Sequence, residues 1–311
     1  MITIITINYN NASGLRKTLA SVASQTYRNI EHIIVDGGST DGSVDIIREY
    51  ENTIKRSVTI DQSTIQVKWL SEKDNGIYDA MNKGVEIASG IRVVNALNRS
   101  ELVEDKHSEA DQPEGTGVEN KVVSDYLYFL NSGDAFATPD VVQEMMKIFD
   151  GTDIIIGRVN RTNNGKVFGQ TNLLSEKDMS LYNMYLRGIN HQSAFIRRNL
   201  LIQTPYDATI KYGADWKFFV QTIVLSGATV KFVNQIFANY DVAGLSSNTP
   251  EVRKERETIL KNILPERIAR DYLAIAPYYY EVTRVEWLLR HPFWYKIYRM
   301  IVTFARKISN L

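Results

Sequence analysis

The chain has no cysteine, which excludes a disulfide framework and any thiolate-held metal and fits a reducing compartment. It has no excess of either charge: 36 Lys and Arg balance 36 Asp and Glu over 311 residues. A nucleic-acid partner, which normally demands a basic surplus, is therefore not expected. No run of about 18 uncharged apolar residues occurs, so no membrane-spanning helix is expected. The opening MITIITINYN lacks the basic lead, apolar centre and small-residue cleavage site of a signal peptide. Neither a GxGxxG fingerprint nor a GxxxxGK[ST] loop is present, which takes support from hydride transfer and kinase-like chemistry. These absences lead us to expect a cytoplasmic protein, either soluble or peripheral on the inner face of the membrane.

What is present is a patterned α/β chain, 44% apolar and long enough to bury a large core. Ile2 to Ile7 is a continuous apolar and β-branched run, as in a strand buried on both faces. Residues 12–24 follow with Leu15, Leu19, Val22 and Ala23 at helical spacing. Residues 30–35 predict a second strand, before DGGSTDGS and a helix near 44–50. Residues 65–70 predict a third, before a helix at about 77–89. This alternation predicts a mostly parallel sheet flanked by helices. Residues 101–121 are acidic with almost no large apolar side chains, so 91–124 reads as a disordered insertion. The core resumes with a strand at 125–130, and Thr138-Pro139 opens a helix with Thr as its N-cap. Strands at 153–157, 190–196 and 228–233, a hairpin turn at Asn163-Asn164-Gly165 and a helix at 214–226 complete a catalytic domain over 1–250.

From 251 to 311 helical, aromatic and basic residues dominate. Within 283–308, Trp287, Phe293, Trp294, Tyr298, Ile301 and Phe304 supply an apolar face. Arg284, Arg290, Lys296, Arg299, Arg306 and Lys307 stand against a single acid, Glu286. A basic amphipathic helix with Trp and Tyr suits a membrane interface. Packing on the catalytic domain or in a dimer would also use such a face.

In open parallel sheets, ligands bind beyond the carboxyl ends of the strands. Three polar clusters fall there: Thr6-Asn8-Tyr9, Asp36-Gly37-Gly38-Ser39 and Asn131 to Asp134. Each alone could be ordinary turn chemistry; their convergence on one edge points to a site. Tyr9 could stack on a nucleobase, with Asn8 and Asp36 adding polar contacts. Asp134 is a hard oxygen ligand suited to Mg²⁺ or Mn²⁺. Asp215, at a predicted helix start, either complements the helix dipole or acts as a general base. His191 could contact a diphosphate or a metal, or serve the fold alone.

The segments ITINYN, IIVDGGSTDGS, SEKDNGIYDAMNKGVEIASG, YLYFLNSGD, NHQSAFIRR and GADWKFF, in this order, resemble family 2 glycosyltransferases of the GT-A fold. The likeness runs from residue 2 to about 248, and bacterial capsular, exopolysaccharide, O-antigen and colanic-acid-type enzymes are the most similar subgroup. The resemblance implies that Thr6, Asn8 and Tyr9 line a base and ribose pocket, that Asp36 contacts the nucleoside, and that Asp79 lies near the donor. It implies Asp134 as the last carboxylate of a DxD-like metal motif, Asp215 as catalytic base, and Gly244-Leu245-Ser246-Ser247 as a stretch closing over the donor. Many relatives read VDDGS where this chain has Val35-Asp36-Gly37-Gly38-Ser39, and carry more acids where Asn131, Ser132 and Gly133 stand. The implied reaction is an inverting transfer from a nucleotide-diphosphate sugar, by default a UDP-sugar, to a glycan or lipid-linked hydroxyl, with a divalent cation. A sugar nucleotidyltransferase is a rival, but the stretch after the first strand lacks the basic Gly-rich loop for a triphosphate. A binding protein without catalysis is a second.

Overall fold

The computed structural model describes residues 1–56, 65–94, 100–102, 125–163, 165–242, 250–275 and 278–309. These form two compact units, Met1–Arg256 and Glu257–Leu311.

The first unit is built on one sheet. Strands β1 (Ile2–Asn8), β2 (Ile30–Asp36) and β3 (Gln66–Ser71) alternate with helices α1 (Ala12–Ala23), α2 (Ser43–Arg56) and α3 (Ile77–Ala88). Every residue of β1 and β2 is buried, which is why β1 is continuously apolar and β-branched rather than alternating; β2 buries Glu31 and His32 among its apolar residues. A short antiparallel pair follows, β4 (Arg92–Val94) with β5 (Ser100–Leu102). This places part of the expected insertion in a ladder; 95–99 and 103–124 lie outside the described residues. Next come β6 (Tyr126–Phe129), β7 (Ala135–Phe136), α4 (Val141–Met146), β8 (Ile154–Asn163), β9 (Lys166–Gln170), α5 (Leu181–Arg187), β10 (Ala194–Arg197), α6 (Arg198–Gln203), α7 (Ala214–Phe219) and β11 (Val230–Asp241).

The sheet order is β3-β2-β1-β6-β10-β8-β11-β7, with β9 off this path, paired to Asn160–Asn163 at the far end of β8. β3, β2, β1 and β6 are parallel; β10 runs antiparallel to both β6 and β8. Helix α3 lies close on β1 at Gly84, where a Cβ would come within 2.5 Å of Ile5 Cγ2.

Three local expectations are corrected. The helix after Thr138-Pro139 starts at Val141 with Asp140 in the N-cap position, because Pro139 and Asp140 form a turn first. Residues 191–193 make a 3₁₀ turn and the strand begins only at Ala194, since the side chain of Asn190 accepts from Gln192 N and starts the turn. The segment 214–226 divides into α7 and a π-helical turn, Val220–Leu225. Asn163 and Lys166 close the β8–β9 hairpin; Gly165 takes φ +75° there, and Asn164 lies outside the described residues.

The second unit takes up the end of α8 (Pro250–Ile263), then α9 (Glu266–Ile275), α10 (Tyr279–Leu289) and α11 (Pro292–Ser309). The single amphipathic helix expected over 283–308 is broken at His291-Pro292. Proline cannot donate within a helix but is well suited to its first position. Among the described residues, no helix is long and apolar enough to cross a membrane.

Candidate active site

The ends of β1, β2 and β3 are tied together by Asp36. Its buried carboxylate accepts from Asn8 Nδ2 at 2.8 Å, Ser39 Oγ at 2.6 Å, Ser39 N at 3.0 Å and Ser71 Oγ at 2.6 Å. Four donors satisfy this carboxylate within the protein. Asn8 must present its NH₂ to that acceptor, so its Oδ1 is left buried and without a partner. The Tyr9 ring beside it is 66% exposed. A Cβ on residue 37 would lie 2.5 Å from Asp74 Oδ2 and 3.2 Å from Tyr9 Cδ2. Gly37 therefore lets a second carboxylate, Asp74, come up beside the aromatic ring. Burial raises the Asp74 carboxyl above its ordinary range.

Two expected site residues are used inside the fold. Thr6 is buried, with Oγ1 3.0 Å from His32 Nε2. His32 Nδ1 in turn lies 2.9 Å from the Tyr50 hydroxyl. Burial lowers His32 to about 3, so the ring stays neutral. Asp79 accepts from Asn75 N at 2.9 Å and pairs with Lys83 Nζ at 3.6 Å, closing the turn that enters α3.

A second group of side chains meets at the 191–193 turn. Asp134, at the start of β7, is buried; its Oδ1 accepts from Asp241 N at 2.7 Å and its Oδ2 from Gln192 Nε2. Burial pushes its carboxyl up to about 6, against the lowering effect of those donors and of Lys17 and His191 nearby. His191 Nδ1 is 3.0 Å from Asp215 Oδ2, and its Nε2 is 3.0 Å from Asn131 Nδ2. With the proton on Nδ1, Nε2 accepts from the Asn131 amide, and the ring satisfies both neighbours. Both ring nitrogens are thereby engaged, so His191 is not open to a metal. The carboxylates of 134 and 215 are thus held by neighbouring residues of one short turn.

The same bonds fix Asn131 and Gln192 with their NH₂ groups inward, leaving Asn131 Oδ1 and Gln192 Oε1 buried and unpartnered. Orphaned amide oxygens beside a buried carboxylate form an all-oxygen donor set, the chemistry that holds a hard divalent cation. Among the described residues no cluster of three His, Cys, Asp or Glu side chains could hold a metal. The fit therefore depends on Asp134, amide oxygens and oxygens brought by a ligand.

Asp215 opens α7, a helix of six residues with no side-chain cap at Gly213. So short a helix cannot place its own first turn, and two other helices do so. Glu255 on α8 accepts the N–H groups of Lys211, Tyr212 and Gly213 at 2.8–2.9 Å. The Arg256 guanidinium lies 5.2 Å over the Trp216 ring. From α3, the Tyr78 hydroxyl is 2.8 Å from Tyr212 O and 3.0 Å from Asp215 Oδ1. Asn82, one turn on, brackets Tyr206 N and O at 3.0 and 2.7 Å. The YDAMNKG segment is thus a scaffold for the 206–216 stretch. Tyr78 and Glu255 escaped the sequence reading; the only signal for Tyr78 was adjacency to Asp79. Gly244 to Ser247 lie outside the described residues.

The curled, mostly parallel sheet with flanking helices is a GT-A fold. The family model described as Glycosyl transferase family 2 matches residues 3–95. The chain is 27% identical over 261 residues to an uncharacterized glycosyltransferase of Mycobacterium tuberculosis, covering 79% of this chain and 77% of that one. It is also 27% identical over 254 residues to a PGL/p-HBAD biosynthesis glycosyltransferase of the same species, covering 80% of each. Among solved structures it is similar to Staphylococcus aureus TarS 1-349 in complex with UDP-GlcNAc, with TM-score 0.54, 16% identity, and coverage of 89% of this chain and 71% of that one. It spans 42% of the longer TarS chain. It is likewise similar to the mannosyltransferase PcManGT of Pyrobaculum calidifontis in complex with GDP-Man and Mn²⁺, with TM-score 0.52, 15% identity, and coverage of 98% and 80%. The chain is a glycosyltransferase whose residues 3–95 match the family 2 model.

Proposed function

We propose that the protein transfers a sugar, with inversion, from a UDP-sugar to a hydroxyl of a glycan or lipid-linked acceptor in bacterial surface polysaccharide synthesis. The observation that carries this reading is the linkage of Asp134 to Asp215 through the 191–193 turn, which sets a diphosphate-side carboxylate beside a base. Tyr9 offers a face to the nucleobase, and Asn8 Oδ1 and Asp74 offer acceptors for its N–H or for ribose hydroxyls. Asp215 takes the acceptor hydroxyl's proton as that oxygen attacks the anomeric carbon and the diphosphate leaves from the opposite face. His191 holds the Asp215 carboxylate in place. Asp134, with Asn131 and Gln192 oxygens, would hold Mg²⁺ or Mn²⁺, whose Lewis acidity neutralises the departing diphosphate. UDP-GlcNAc in TarS and Mn²⁺ in PcManGT support this choice of donor class and cation.

Thermal-shift measurement with UDP-, GDP- and dTDP-sugars plus Mn²⁺ tests the donor. A UDP-sugar at about a hundred times its Kd is expected to stabilise the protein by roughly 2.7 kcal/mol, with UDP released on adding acceptor. A response to none of the sugars would end the proposal.

The acceptor reading extends to the second unit. There Trp287, Phe293, Trp294, Tyr298, Ile301 and Phe304 are exposed, together with Arg284, Arg290, Lys296 and Arg299. Exposed aromatics among cations suit an anionic bilayer surface, where a lipid-linked acceptor resides. Full-length protein is expected to float with vesicles containing anionic lipid, and protein lacking 281–311 to stay in the soluble fraction. Equal flotation of both would assign binding elsewhere.

A further inference from the structure

The groups facing Asp215 are Tyr78 from α3, His191 from its turn, Tyr206 from the loop after α6, and Arg256 from α8. Glu255 touches only the backbone ahead of it. An ionised carboxylate offers about four lone-pair positions. On Oδ1 the protein fills two, with Trp216 N at 2.7 Å and the Tyr78 hydroxyl at 3.0 Å. On Oδ2 it fills one, with His191 Nδ1 at 3.0 Å. A single position on Oδ2 remains.

We propose that Tyr78 is a positioning residue for glycosyl transfer: its hydroxyl, with Trp216 N, saturates Asp215 Oδ1 and so directs proton uptake to Oδ2. The inference rests on the reading of Asp215 as the base. Tyr78 has one hydroxyl proton and two acceptors within reach, Asp215 Oδ1 and the Tyr212 carbonyl at 2.8 Å. While Asp215 is charged, the carboxylate is the stronger acceptor and draws that proton. When the acceptor's O–H bond breaks and its proton joins Oδ2, Asp215 becomes neutral, and the Tyr78 proton turns to the Tyr212 carbonyl. The Tyr78 proton has an acceptor in either state. Each round thus costs a hydroxyl rotation rather than a rearrangement of the backbone.

The second buried tyrosine gives the control. Tyr206 packs 5.7 Å from the Tyr78 ring, and its own hydroxyl is buried without a partner. Full-length Tyr78→Phe and Tyr206→Phe are compared with wild type for kcat, donor KM, nucleotide Kd, melting temperature and the pH dependence of kcat. Tyr78→Phe is expected to lose kcat roughly tenfold or more, as for a hydrogen bond to a charged group. Its donor KM and Kd should stay within about twofold, and the acid limb of its kcat profile should move up by about one pH unit because a donor to the charged form is gone. Tyr206→Phe should match wild type. If Tyr78→Phe keeps the wild-type kcat and profile while Asp215→Asn is inactive, the inference is overturned alone. If Tyr78→Phe loses donor affinity in step with kcat, its role is binding and the inference is again overturned. Activity in Asp215→Asn overturns the base reading and this inference with it.

Discussion

Asp215→Asn is expected to bind the nucleotide-sugar as wild type does and to lose transfer by at least about a hundredfold, the usual worth of a general base. The network can absorb the change without disturbing the fold. With the amide oxygen at the Oδ1 position, the donors Tyr78 and Trp216 N keep their acceptor. The amide nitrogen then faces His191 Nδ1, which accepts once the ring proton moves to Nε2. That proton finds Asn131 Oδ1, now without a partner, after a flip of the Asn131 amide. The flip leaves the Asn131 NH₂ where its unpartnered oxygen stood, so the variant removes the basicity and leaves one buried donor unmatched. Single-turnover transfer rates and nucleotide Kd, measured together, check it. Near-wild-type turnover would remove Asp215 from the mechanism.

The same network marks where sequence reasoning succeeds and stops. Strand β1 was legible because burial on both faces leaves an uninterrupted apolar and β-branched run, and the strand-end loops were legible because glycine and aspartate punctuate them. The reversal of β10 was not legible. Ala194 to Arg197 carries no signal of direction, which is set by its pairing with β6 on one side and β8 on the other. Two-residue β7 is too short for any periodicity. Asp134 was legible as a strand-end carboxylate, but its bond from Asp241 N, over a hundred residues on, was not. Thr6 and Asp36 sit where a ligand pocket was expected, yet their oxygens are committed to His32 and to Asn8, Ser39 and Ser71. Partners so distant in sequence leave no local pattern. In the second unit, Pro292 was visible in the sequence but outweighed by the amphipathic pattern running through it.

Asp134→Asn is expected to make the protein more stable above pH 7 and unable to respond to donor and cation. Burial holds the Asp134 carboxyl at about 6 against an ordinary 3.8. Between those values the unfolded chain has already released a proton that the folded protein retains. Stability from this group therefore falls as pH rises through the window and stays at its low level above it. A shift of this size corresponds to about 3 kcal/mol. His32 acts in the opposite sense: below its ordinary 6.5 the unfolded chain takes up a proton that the buried ring refuses down to about 3, so stability falls as pH drops. In wild type the two slopes offset each other between about pH 4 and 6. The variant keeps the Asp241 N bond on its amide oxygen, and its new NH₂ can donate to the orphaned Gln192 Oε1 once that side chain flips. Denaturant unfolding at pH 8 should show a gain of about 2–3 kcal/mol, with a steeper loss toward pH 4 because only the His32 slope remains. UDP-sugar with Mn²⁺ should raise the melting temperature of wild type and leave the variant unmoved. A fold that bears an unfavourable buried carboxylate does so where that charge is needed for function. A variant no more stable than wild type at pH 8, or one still responsive to Mn²⁺, would mean that Asp134 is not that charge.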